Sequence, residues 1–216
     1  MVDVSGVWVK VYPDAAEPGL PGFGGWADVT TVTGDSGNRY TYKDIDGFDW
    51  VAYEWTDIGT VTMTEGLADA LLIGGGMGYM SNLSNSGGGG SIVTNILNFE
   101  GGEHNVDIGI GKPAGNNFEQ YTGLPTSIGP IHTGYAYAAG FSYYGTTTDN
   151  VAARGTPYPS SITGSPETYA GGKINSTSRL GDGGANAGNS GTSGVAIIRV
   201  PAANALATIP GTWGDL

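Results

Sequence analysis

The stretch GTVTMTEGLADALLIGGGMG, residues 59–78, decides the fold. Val61 and Met63 alternate with Thr60, Thr62 and Thr64, a period of two that predicts a half-buried strand. Glu65 and Gly66 read as a turn. Residues 67–73, LADALLI, return as a second strand with little alternation, and so one more fully buried. That strand runs straight into Gly74, Gly75 and Gly76, where side chains vanish. The end of the chain mirrors it: glycine-rich sequence up to Gly194, then the apolar run Val195, Ala196, Ile197, Ile198, Arg199, Val200 and Pro201. Two apolar strands bracket a long glycine-rich interior.

The 216 residues suffice for one good-sized domain with a real core. Glycine, at 40 residues, is well over twice its usual share. Only 13% of residues are charged, yet 12 Tyr and 5 Trp are present, an aromatic content that disordered chains lack. A net charge of −12 disfavours duplex nucleic acid and anionic lipid as partners, because phosphate binding rests on Lys and Arg. Of the 20 acids 12 precede residue 70, against 3 of the 8 basic residues. Such a gradient orients a subunit against a basic neighbour, or simply solvates a surface. Without cysteine there is neither disulfide nor thiolate metal site. Residues 1–10, MVDVSGVWVK, have neither the basic start nor the apolar run of a signal peptide. No segment approaches the roughly 18 apolar residues that span a bilayer. The expectation is a chain made in the cytoplasm, with no membrane insertion.

Residues 1–26 read as an irregular arm: a short strand at 7–12, then the Pro- and Gly-rich DAAEPGLPGFGG. Residues 27–58 form a β lead-in to the glycine-rich domain, which runs from 27 to 201; residues 202–216 are a tail. Within the lead-in, YTYKDIDGFDWVAYEW at 40–55 is the strongest hairpin signal. A two-residue turn at Asp46 and Gly47 would set Tyr42 across from Val51 and Tyr40 across from Tyr53. Asp44, Asp46 and Asp49 also suggest a calcium loop, but the flanking helices and terminal Glu that such a loop needs are missing. Glycines recur at 74–78, at Gly87, Gly88, Gly89 and Gly90, and again at 101–102, 109, 111, 171–172 and through 181–194, without the strict triplet of collagen. An ordered chain keeps so many only where backbones approach closely or φ is positive. Residues 87–90 read equally well as a loose tip. Short β-prone pieces, SIVTNIL at 91–97 and NVDIGI at 105–110, lie between them, followed by YAYAAGFSYY at 135–144. Only residues 201–209 could be helical for two turns.

Few residues carry reactive chemistry. Gly109, Gly111 and Lys112 resemble a phosphate loop, but Pro113 replaces the required Ser or Thr, and no βαβ context supports a dinucleotide site. Glu103, His104 and Asp107 could hold a metal; the plainer reading is a loop beside Gly101. Ser127 lacks the glycine spacing of a nucleophile elbow. No catalytic residue, metal or cofactor is expected. Binding by surface is left, with Tyr135, Tyr137, Tyr143 and Tyr144 among Ser, Asn and Gly as candidates, since amphipathic rings with adaptable hydrogen bonds suit recognition loops. The same tyrosines read equally well as packing between layers or subunits.

Residues 67–78 (LADALLIGGGMG), 124–131 (LPTSIGPI) and 191–201 (GTSGVAIIRVP) together resemble the glycine-rich domain of bacteriophage tail-fibre and minor tail proteins. The hairpin before them is similar to that of minor tail proteins from phages of actinobacteria. The resemblance covers roughly Trp55 to Pro201. It implies a non-enzymatic virion component of the tail tip, assembled in the host cytoplasm as a trimer or ring. Its implied partners are other tail proteins and a host cell-wall glycan or surface receptor. A lectin-like adhesin module and a capsid decoration protein are the alternatives. Residues 112–170 carry Tyr, Pro and Asn in place of long glycine runs. The expected fold is therefore an all-β, jelly-roll-like β-sandwich with long, decorated, glycine-rich loops, rather than a packed polyglycine sandwich.

Overall fold

A computed structural model describes residues 2–4, 7–9, 25–35, 39–79, 87–114, 123–136, 158–170, 179–184 and 190–206. It is an all-β sandwich. β1 (Val2–Val4) and β2 (Val7–Val9) pair only with each other among the named strands. β3 (Val29–Thr33), β4 (Arg39–Lys43), β5 (Asp49–Trp55), β6 (Gly59–Met63) and β7 (Gly66–Ile73) follow. Next come β8 (Ile92–Phe99), β9 (Gly102–Asp107), β10 (Ser127–Ile128) and β11 (Ile131–His132). β12 (Tyr158–Ser160), β13 (Glu167–Tyr169) and β14 (Val195–Pro201) complete the strands. Two five-stranded sheets result, ordered β4-β5-β14-β7-β8 and β11-β10-β9-β6-β3, with every pairing antiparallel. Among the described residues no helix is long and apolar enough to cross a membrane.

The closing strand β14 is the middle of its sheet, between β5 and β7. Val61, Met63, Val106 and Ile128 of one sheet pack on Tyr53, Trp55, Ala70, Leu72, Ala196 and Ile198 of the other. The first sheet is covered on its outer face as well. There Ala52, Leu71, Ile73, Ile92, Val195 and Ile197 lie under Ile162, Tyr169 and Ala170, carried by the β12–β13 ribbon. Burial on both faces explains why LADALLI and VAIIRV are continuous apolar runs, while β6, covered on one face, alternates.

The β4–β5 hairpin pairs Tyr42 with Trp50 and Tyr40 with Ala52, one residue away from the register expected for a two-residue turn. Asp44 is the reason. Its Oδ1 accepts from the Asp46 and Phe48 amides at 3.0 and 2.9 Å, and its Oδ2 from Trp50 Nε1 at 2.9 Å. Gly47, at φ +84°, donates to the Asp44 carbonyl and supplies the bulge that completes a longer loop. A one-residue slip exchanges the faces of a strand. Tyr40 and Tyr42 thus join Ala52 on the outer face.

On that face Arg199 ties four strands together. Its Nε and Nη2 both reach Asp69 Oδ2 of β7 at 2.7 Å, and Nη1 donates to the Tyr42 hydroxyl of β4 at 2.7 Å. The guanidinium also stacks 4.5 Å from the Trp50 ring centre of β5. Burial opposes its charge, but Asp69 and Tyr42 hold its pKa above the ordinary arginine value. Arg199→Ala leaves Asp69 half-buried and unpaired. It is expected to lower unfolding free energy by about 3 kcal/mol in urea titrations, with Arg199→Lys intermediate because it lacks the planar fork. An unchanged midpoint for Arg199→Ala would show the cluster to be idle.

Candidate functional site

The glycine-rich connections are packed against one another, at one end of the sandwich, as tightly as a core. β7 continues as residues 74–78, all of them buried, with Met77 the sole side chain. Six segments surround this axis. In order around it they are 87–91, 181–184, 191–194, 109–113, 123–126 and 133–136. Along the axis the amides of Gly74, Gly75, Gly76 and Met77 donate to Ser91, Leu124, Thr192 and Gly88, so the first neighbour returns at the fourth residue. This is a period of three, that of the polyproline II helix, and not the period of two of a strand. The axial carbonyls of Gly76 and Met77 accept from the intervening segments, at Lys112 and Gly184.

The ring closes on itself. Gly87 donates to Gly184, Gly181 to Ser193, Gly191 to Lys112, Leu124 to Ile110 and Ala136 to Gly123. Ser91 Oγ donates to the Gly134 carbonyl at 2.6 Å to complete the circuit. Chain direction alternates around the ring: 109–113, 133–136 and 181–184 run away from the sandwich, and the other three run towards it.

At most bundle positions glycine is required by space and not by φ; Gly181, at φ +78°, is the exception. A Cβ on Gly75, Gly76, Gly90, Gly109, Gly123, Gly191 or Gly194 would lie within 3.0 Å of backbone atoms of a neighbouring segment, yet none of these glycines has a positive φ. Gly87 and Gly89 are equally constrained, by Met77 and Ala170; on Gly74 a Cβ would meet Thr133 Oγ1 at 2.9 Å. Gly88 contributes its carbonyl to the Met77 amide. Where strands give way to bundle, hydroxyls satisfy the backbone. The fully buried Thr126 Oγ1 donates to the Ile73 carbonyl at 2.6 Å and accepts from the Gly109 amide at 2.9 Å. Thr133 Oγ1 accepts from the Thr126 amide at 2.9 Å.

The molecule therefore has two unlike ends. At the free end of the bundle, here the tip, Met77, Gly78, Gly87, Lys112, Pro113 and Gly184 lie together. At the opposite end, the base, lie the hairpin loop at 44–48, the connections at 64–65 and 100–101, and Gly25, whose carbonyl accepts from the Leu67 amide. Trp26 is buried there, edge-on to Trp50, and Asn204 Nδ2 donates to Asp28 Oδ1 at 2.7 Å.

Of the tyrosines proposed for binding, Tyr135 is 50% exposed on the bundle wall next to Ala136. Tyr137, Tyr143 and Tyr144 lie outside the described residues. Of the acids and histidines weighed for metal chemistry, His104 and Asp44 bond within the fold. On β9, Glu103 and Asp107 are exposed on the face opposite the buried His104, whose Nε2 bonds the Glu100 carbonyl at 2.8 Å. The Asp44 carboxylate is taken up by its turn: burial is the largest single effect and raises its pKa, but the three hydrogen bonds together outweigh it and hold the pKa below the usual carboxylate range. Among the described residues no three His, Asp or Glu side chains gather as a metal would require. Comparison with protein-family models, with curated proteins and with solved structures finds no match to this chain.

Gly90→Ala drives a methyl group into the Gly74 carbonyl of the axis. It is expected to cost about 3 kcal/mol or more, or to prevent folding, by chemical denaturation. Gly25→Ala, which meets nothing within 4 Å, should shift stability by less than about 0.5 kcal/mol. Equal effects at the two sites would contradict close packing.

Proposed function

We propose that this chain is a non-enzymatic structural component of a bacteriophage virion, a minor tail protein of the tail tip that serves assembly and host-surface attachment. The supporting observation is the polarity of the molecule. The sandwich with its apolar core and hairpin loop stands at one end, and a bundle poor in side chains projects from the other. An arrangement of this kind suits a part held by one end with the other presented outward. Rigid backbone packing keeps the presented end in register at little side-chain cost, as attachment surfaces need. The resemblance of residues 67–78, 124–131 and 191–201 to phage glycine-rich domains points the same way. The partners of this reading are neighbouring tail proteins and a host glycan or surface receptor, and the assembly is a homo-oligomer, trimer or ring.

A lectin-like role is the second reading, favoured by the half-exposed Tyr135, because a phenol face stacks on a sugar ring. Mass spectrometry of purified virions should find the chain, and labelled antibody should mark the tail in electron micrographs. Its absence from intact particles would end the first reading. For the second, Tyr135→Ala should weaken pull-down on host cell wall several-fold at unchanged melting temperature; full retention would remove Tyr135 from the contact.

A further inference from the structure

The edge of a sheet is where a strand of another molecule can add, and folds usually blunt it. Of the four edges of the two large sheets, three are blunted. β11 is two residues long, β3 carries a bulge between Val29 and Thr31, and β4 has Arg39 and Lys43 at its two ends. The fourth, β8, has no such protection. It runs for eight residues, IVTNILNF, without a charge, a proline or a break in its register with β7. Among the described residues no strand pairs with its other side.

The Gly74 amide donates to the Ser91 carbonyl, and opposed residues of an antiparallel pair exchange bonds at every second position. The amides and carbonyls of Val93, Asn95, Leu97 and Phe99 therefore face β7, and those of Ile92, Thr94, Ile96 and Asn98 face away from it. Ile92 is fully buried and Phe99 nearly so, whereas residues 94–98 are half-buried or exposed. In the middle of this open stretch the Ile96 amide donates to Asn95 Oδ1 at 2.9 Å. A side chain from the same strand thus stands where the carbonyl of a further strand would be.

We infer that the 94–98 edge of β8 pairs with the same edge of a second copy, antiparallel about a two-fold axis. Open strand groups call for another strand, because only an extended backbone matches their spacing. Charge selects the copy. The chain carries −12 overall, yet residues 91–99 hold no charged side chain, so two such edges meet without setting like charges opposite each other. A strongly charged partner strand would find no complement here. With the axis on Ile96, that residue faces its own copy and Thr94 faces Asn98, an apolar pair flanked by pairs that can hydrogen-bond. The Ile96 amide then leaves Asn95 Oδ1 for the Ile96 carbonyl of the copy. Both sides of the contact are the same patch, as an isologous dimer requires, and two five-stranded sheets join into one.

This contact is a property of the chain alone, independent of the particle reading and additional to any trimer or ring formed there. Sedimentation equilibrium of purified chain over a concentration series tests it, and wild-type chain should dimerise. Ile96→Lys sets two ammonium groups against each other at the axis and should weaken dimerisation about tenfold or more at an unchanged melting temperature. Thr31→Lys, on the bulged β3 edge, should leave it unchanged. Wild-type chain that stays monomeric throughout, as an edge reserved for a strand of another protein would leave it, overturns the inference. Equal dimerisation of Ile96→Lys does the same. Crosslinking gives a readout that does not depend on the stability of the lysine variant. The chain has no cysteine of its own, so a short bismaleimide joins only introduced thiols. Covalent dimer from Ile96→Cys and none from Thr31→Cys supports the two-fold pairing; any other pattern overturns it.

Discussion

The structure depends on backbone meeting backbone. Residues 74–78 can be encircled by six other segments only because almost nothing projects from any of them, and each axial peptide group finds its partner on a different neighbour. Glycine is entropically the least suitable residue for an ordered segment, costing about 0.5–1 kcal/mol more than alanine. A backbone hydrogen bond contributes about 1 kcal/mol net. The two effects roughly cancel, so the bundle has little stability of its own and leans on the sandwich. Six strands of that sandwich, β7, β8, β9, β10, β11 and β14, lead out of or into bundle segments, so every segment but 181–184 is pinned at one end by a strand. The buried hydroxyls of Thr126 and Thr133 sit at the junction, where neither strand pairing nor bundle pairing reaches every peptide group.

This division of labour shapes the molecule's ends. The sandwich carries the buried Trp and Tyr rings, the Arg199 cluster and most of the acids. The bundle carries almost no side chains inward, Met77 of its axis being buried within it. Positions whose side chains do not build a core are the ones that can serve recognition. Polarity of this sort is a consequence of the two packing modes being joined end to end.

Much of the sandwich was legible in the sequence. The alternation at Thr60, Val61, Thr62 and Met63 and the apolar runs at 67–73 and 195–200 reported their one-sided and two-sided burial directly. The hairpin at 40–55 was legible as a hairpin but not in register, because the Asp44 side chain took over the turn from the Asp46–Gly47 pair. The glycine bundle was legible only as a surplus of glycine. Its period of three lies in which distant segment each amide reaches, and a chain of glycines leaves no trace of that in hydrophobicity. The candidate surfaces were harder still. The tyrosine run at 135–144 drew attention for its composition, and Tyr135 alone of its four proposed binding residues falls among those described.

The most direct measurement is hydrogen-bond scalar coupling by NMR, from the amide nitrogens of Gly74, Gly75, Gly76 and Met77 to the carbonyl carbons that accept them. Couplings to Ser91, Leu124, Thr192 and Gly88, with amides protected from exchange for hours, are the result expected of a seven-segment bundle with a three-residue period. Amides that exchange within seconds, or couplings from successive residues to a single neighbouring segment, would contradict it.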